Sequence, residues 1–178
     1  FDMVLNYPQI NGFGIMLIDT PVKKNRVVWN SFSQKPEIIY RLTEEDKKRM
    51  RIAAKKGVEI MFGSGAKKVM LPSEEPIGPL SRPTFNNKSQ AEYCNELTFL
   101  PHQTQITSAH CQATVSMGED YELGILNSRC ESKYVKNLVV CDSSSFPTSC
   151  GANPMVSIMT MARYQGDRVA GELARYGL

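Results

Sequence analysis

Apolar and polar positions change rhythm several times along the chain. Residues 12–20 and 26–30 form two apolar-rich runs around Ile15, Leu17, Val27, Val28 and Trp29, separated by Pro21-Val22-Lys23-Lys24-Asn25. Such runs divided by a Pro/Asn turn predict two antiparallel strands, with room for a third short strand at 36–41. From Thr43 the period lengthens. Met50, Ala53, Ala54, Val58, Met61 and Phe62 fall on one stripe at helical spacing. Thr43 and Asp46 stand as a capping-box pair, and Glu44, Glu45 and Asp46 complement the helix dipole. The pattern predicts a helix over 43–62, ended by Gly63-Ser64-Gly65.

Residues 72–88 carry five prolines or glycines and few large apolar groups, which predicts a long loop or an excursion around a substrate region. A short helix is expected at 89–98. In the last third, Asn137-Leu138-Val139-Val140-Cys141-Asp142 has the pattern of a buried strand ending in an acid. After a turn-rich stretch at 143–151, Asn153 suits an N-cap and Pro154 the first helical position, where a missing N–H costs nothing. The final helix should run to about Arg175 with Met155, Ile158, Met159, Ala162, Val169 and Leu173 on its apolar face. A strand, a turn and a helix N-terminus in this order can meet an anion or a cofactor.

Composition narrows the class without deciding it. Hydrophobic residues at 42% and charged residues at 22% are ordinary for a globular protein. The +3 formal charge lies in short runs such as Lys47-Lys48-Arg49, Lys55-Lys56 and Lys67-Lys68, which suit solvated faces rather than nucleic acid. No apolar stretch is long enough to span a bilayer. The five cysteines are odd in number and contain no CxxC pair, which argues against a zinc site or a full disulfide framework. Free thiols are expected, and with them the cytoplasm is slightly favoured. The opening Phe1-Asp2-Met3-Val4-Leu5 has neither an initiator methionine nor a signal peptide, and it reads as the interior of a longer protein.

There are only two histidines, His102 and His110. A lone histidine is more often packed or exposed than catalytic. His110 stands out because small hydroxylated residues surround it and Gly118 closes its segment, as suits a backbone passing close to something.

Two late segments, taken together, resemble the glucose–methanol–choline (GMC) family of flavin oxidoreductases. The family's C-terminal signature opens on histidine, with Gly-Thr three and four residues on and Met-Gly seven and eight on. Here His110, Thr114, Met117 and Gly118 stand at those offsets. The next family block is similar to Asn137-Leu138-Val139-Val140-Cys141-Asp142-Ser143-Ser144, followed by Pro147 and by Asn153-Pro154 opening the last helix. The segment from Ile39 to Asp46 and the later Gly65-Ala66 also look like the strand and helix that precede the histidine block. The resemblance covers about residues 11–175, strongest from 108 onward. In form it is nearest to the branch of long-chain alcohol oxidases and cholesterol oxidases. Ala113 replaces the usual glycine, Ser116 a common arginine, and Cys111 a frequent proline.

The resemblance implies an α+β fold: an antiparallel substrate-domain sheet with helices over 1–107, then the C-terminal strand and helix of a flavin-binding α/β domain over 108–178. It implies FAD as cofactor and oxidation of an alcohol or sugar hydroxyl, with His110 as base and Asn153 orienting the substrate oxygen. Asp142, Ser143, Asn153, Pro154 and Met155 would lie against the cofactor. The family's GxGxxG fingerprint is missing, since Gly63-Ser64-Gly65 follows a helix rather than a strand. A second chain or a missing N-terminal segment should therefore supply the dinucleotide cradle. Two alternatives stay open: a non-catalytic structural or regulatory subunit of the same fold, and a lyase or decarboxylase on the flavin scaffold. For Asp142 the bland alternative is a turn-forming acid, and for Asn153 a plain helix cap.

Overall fold

The computed structural model describes residues 6–119 and 124–177; the opening 1–5 lie outside the described residues. The class is α+β, with two small antiparallel sheets and two α-helices among the described residues. The chain divides into two compact units, Phe1–Leu17 with Lys48–Thr104, and Ile18–Lys47 with Gln105–Leu178.

Helix α1, Glu44–Gly63, begins as its sequence requires. The Asp46 N–H donates to Thr43 Oγ1 at 3.1 Å, and Asp46 Oδ2 accepts from the Thr43 N–H at 3.1 Å and from its hydroxyl at 2.5 Å. This reciprocal pairing satisfies amides that a helix start leaves open. At the other end Gly65 turns left-handed at φ +94°, and the Ala66 N–H reaches back to the Met61 carbonyl at 3.0 Å.

In the first unit, α1 presents Val58 to a core of Val69, Ile77, Phe85, Ala91, Cys94 and Leu97. Strand β3, Val69–Met70, pairs with β4, Thr84–Phe85, and the 3-10 helix Lys88–Glu96 brings in Ala91 and Cys94. The short helix expected at 89–98 is this 3-10 helix, capped by Asn87 through its bond from the Gln90 N–H. Residues 72–88 are not a bare loop. They carry β4, and Ile77, Pro83 and Phe85 are fully buried. Buried Glu75 ties this segment to residues 98–104. That carboxylate accepts from the Thr98 N–H (2.7 Å), the Leu100 N–H (3.2 Å), and the hydroxyls of Thr98 (2.9 Å) and Thr104 (2.5 Å). Burial raises the Glu75 pKa, but these bonds outweigh it and hold the carboxyl below its ordinary value.

In the second unit, β1, Arg26–Asn30, pairs with β2, Lys35–Ile39. The hairpin therefore joins the second and third apolar runs, and 12–20 contains no strand. The turn after Asn30 decides the pairing: its Oδ1 accepts from the N–H groups of Phe32 and Ser33, reversing the chain. Asn25 closes the open end, exchanging two hydrogen bonds with the backbone of Arg41.

Within 137–142, Asn137 lies in a left-handed turn at φ +59°, and the residues after it form no regular strand. They meet 130–132 through the Glu131–Val139 bridge and the bonds Ser132 N–H to Leu138 O and Val140 N–H to Cys130 O, both 2.9 Å. A strand needs a ladder of partners, and here the described pairing is a single bridge.

Helix α2, Met155–Gly171, packs with a face that shares Ile158, Ala162 and Val169 with the predicted one and replaces the rest. Ile158, Met161, Ala162, Gln165, Arg168 and Val169 are covered wholly or partly, whereas Met155, Met159 and Leu173 are exposed. The polar members of that face are paired. Arg168 donates to the Arg129 carbonyl (2.9 Å), Glu131 Oε1 (3.2 Å) and Gln165 Oε1 (2.7 Å). Tyr176, whose hydroxyl donates to Glu131 at 2.7 Å, contributes most to depressing the Glu131 pKa to about 2, aided by Asn127, Arg129 and Arg175. Cys130 is fully buried with its sulfur 3.4 Å from Met117 Sδ and 3.7 Å from Met161 Sδ.

Candidate active site

The two late segments singled out by sequence lie side by side. The N–H groups of Ala113, Val115 and Met117 donate to the carbonyls of Ser143, Ser144 and Ser145 at 3.3, 2.9 and 2.9 Å. Alternate residues donate, and the hydroxyl of Ser143 adds a bond to the Cys111 carbonyl at 2.9 Å. The 3-10 turn Ser143–Ser145 is anchored by buried Ser145 and Phe146. Asp142 holds its start, accepting from the Ser144 N–H at 2.7 Å and from the Ser144 hydroxyl. Asp142 is thus a local cap, and Ser143 is engaged with the His110 segment.

Two backbone features explain the small residues of the His110 segment. Ala113 sits at φ +64°, in the left-handed region where a Cβ costs about 1–2 kcal/mol. Glycine would relieve that strain but would also loosen the unfolded chain. Ala113→Gly is therefore expected to raise unfolding stability by about 0.5–1 kcal/mol, read as a shift of the urea midpoint at constant slope; a destabilised variant would contradict the strain. Gly124 lies so close to the Gly118 backbone that a side chain there would collide with it. The Met-Gly pair therefore ends where two chain segments touch without side chains between them.

Beyond Phe146 the chain returns toward the His110 segment. The Cys150 N–H donates to Gln112 Oε1 at 3.0 Å. Gly151 then turns left-handed at φ +66°, with Ile18 occupying the space a Cβ would need. The helix start differs by one residue from the sequence reading. Pro154, buried, is itself the cap residue, and its carbonyl accepts the first helical bond from the Ile158 N–H at 2.8 Å. Asn153 precedes the cap, is exposed, and makes no cap bond, so among the described residues no side chain closes the first turn of α2. Met155 opens the helix with an exposed side chain.

The structure thus sets the His110 segment against the turn 143–145 that Asp142 caps, and ties it, two residues past His110, to a point three residues before Asn153. His110 is partly buried, with its N–H 3.4 Å from Ser108 Oγ. His102 is exposed, in a left-handed turn of the other unit.

The model of the GMC oxidoreductase C-terminal region, described as GMC oxidoreductase, matches residues 21–162. The chain belongs to the GMC oxidoreductase family. Three relatives from Arabidopsis thaliana agree. Long-chain-alcohol oxidase FAO1 is 27% identical over 150 residues, covering 74% of this chain and 18% of the relative. Long-chain-alcohol oxidase FAO4B is 24% identical, covering 77% and 19%. Long-chain-alcohol oxidase FAO4A is 27% identical, covering 82% and 20%. The chain spans about a fifth of the length of the curated relatives it matches. Members of this family are generally flavoproteins.

The donor set of this GMC segment suits a flavin. A flavin ring presents several oxygen and nitrogen acceptors, and the N-terminus of α2 offers backbone N–H donors that no described side chain caps. Sequence reading missed Gln112 because its importance is a bond to a residue 38 positions away. It missed Glu75 because an acid in a Pro/Gly-rich stretch looks like an ordinary loop residue. The Glu131–Arg168 cluster left only a faint trace, the spacing of Arg168, Glu172 and Arg175, which suits a solvated helix face equally well.

Proposed function

We propose that this chain is the C-terminal catalytic part of an FAD-dependent oxidoreductase that oxidises an alcohol, with a long-chain aliphatic alcohol as the favoured substrate class. The observation that carries the reading is the bonding of the His110 segment to both the 143–145 turn and Cys150, which gathers the two halves of the family signature. The names of the relatives support the substrate class.

Alcohol oxidation removes a proton from oxygen and a hydride from carbon. FAD, when bound, accepts the hydride. His110 takes the hydroxyl proton, a task for which imidazole is suited near neutral pH. Asn153, outside the helix cap and exposed, spends no side-chain bond on α2 and is available to hold the substrate oxygen. The start of α2, with the Met155 N–H behind Pro154, would hold the electron-rich edge of the cofactor, where the positive end of the helix dipole is favourable. Asp142 and Ser143 would line its ribityl and phosphate side.

Surface area supports a further stretch of polypeptide as partner. The chain exposes 12,712 Å². Two separate compact bodies of the sizes of its units would expose only about 10,400 Å². Large apolar side chains are among the exposed groups: Phe32 is 99% exposed, Ile38 78%, Val156 67% and Met155 66%. A two-stranded hairpin is marginal by itself in water. These faces are the ones that an N-terminal flavin-binding segment, in the same or a second chain, would cover.

The test uses the full-length protein that carries this sequence. It should purify yellow, and a long-chain primary alcohol added without oxygen should bleach the flavin. Flavin that stays oxidised with every aliphatic, sterol and sugar alcohol tried would overturn the reading. So would a protein that binds no flavin at all.

A further inference from the structure

We infer that Gln112 is a positioning residue that sets the spacing between the His110 and Asn153 segments; this rests on the reading of those two residues as a working pair. Its amide oxygen accepts the Cys150 N–H at 3.0 Å. A backbone N–H can only donate, so the orientation of the amide is fixed, with oxygen toward Cys150 and nitrogen away from it. That nitrogen is shut from solvent and meets no acceptor among the described residues.

Both ends of this bridge stand on constrained backbone. On one side, Cys111 receives the Ser143 hydroxyl at 2.9 Å, and Ala113, left-handed at φ +64°, donates to the Ser143 carbonyl. On the other side, Gly151 is left-handed at φ +66° and pressed by Ile18. With the backbone so held, the Gln112 side chain determines how far apart the two segments stand. His110 lies two residues from one end of the bridge, and Asn153 three residues from the other.

An amide makes a poor core filler. A buried donor left unpaired is unfavourable, and methionine would occupy similar volume without that cost. The glutamine earns its place through its acceptor end, which an apolar side chain lacks. Reactions that depend on orientation are sensitive to such a link, since a shift of about 1 Å can cost on the order of 100-fold in rate.

The experiment uses the full-length flavoprotein, with anaerobic flavin reduction by a long-chain primary alcohol followed as a function of alcohol concentration. Gln112→Met, which removes the acceptor, is expected to bind flavin normally and to lower the rate at saturating alcohol ~10- to 100-fold. The concentration for half-saturation should move much less, because positioning acts on the chemical step. Gln112→Glu keeps the acceptor and should recover most of the rate, compared at pH 9 so that the added carboxylate does not favour a protonated base. Should Gln112→Met fail to accumulate, Gln112→Asn, one methylene too short for the bridge, carries the same expectation.

A wild-type rate in Gln112→Met overturns the inference. Glu as slow as Met, or a loss confined to half-saturation, overturns it equally, since either points to general packing or to binding. His110→Ala measured in parallel separates the two levels. A normal rate there overturns the base assignment on which this rests. A slow His110→Ala beside a fast Gln112→Met overturns the positioning role alone.

Discussion

Replacing His110 by alanine in the full-length flavoprotein is expected to slow flavin reduction by alcohol at least ~100-fold and to leave the flavin bound. A hydroxyl proton is held too tightly to leave unaided at neutral pH, and a positioned general base is typically worth ~100- to 10,000-fold. The His110 side chain bears no load in the local backbone bonding: the neighbouring bonds run through the Cys111 carbonyl, the Gln112 amide and the Ala113 N–H. Alanine should therefore remove the base without dismantling the segment. Rapid-mixing absorbance under argon, with flavin content measured by released cofactor, separates the two effects. A variant that retains flavin and reduces it at the wild-type rate would remove His110 from the chemistry.

Asn153→Ala is the second large effect, an expected ~10- to 100-fold fall in the rate of reduction at saturating alcohol. Its stability should barely change. An asparagine that caps a helix costs about 1 kcal/mol when replaced by alanine, but here Pro154 occupies the cap and Asn153 makes no cap bond. Slower reduction with an unmoved thermal midpoint is the expected combination. A lowered midpoint with a normal rate would instead make Asn153 a structural cap.

Elements specified by near neighbours were legible in the sequence. Helix α1 was one, because Thr43, Asp46, the apolar stripe and the terminal glycines all act within a turn or two of the backbone they organise. Strand partners were not. The runs at 12–20, 26–30 and 36–41 have similar apolar character, and only the Asn30 turn specifies that the last two pair. The polar part of the inward face of α2 escaped for a related reason. Gln165 and Arg168 look like solvent residues until their partners near 129–131 are known. In the site, the offsets from His110 to Gly118 and the Asn153-Pro154 pair were legible as a family signature. The left-handed turn at Ala113 was foreshadowed by the glycine usual there. The Gln112–Cys150 bond and the one-residue shift of the helix cap were not, because both depend on where distant backbone comes to rest.

On the proposed mechanism His110 and Asn153 act on one hydroxyl. A double-variant cycle decides this: the anaerobic flavin-reduction rate of His110→Ala/Asn153→Ala beside the two single variants and the wild type. Groups that serve one reacting oxygen are strongly non-additive. The double variant is expected to be about as slow as the slower single variant. A double variant slowed by the product of the two single effects would show two residues working independently, and would contradict it.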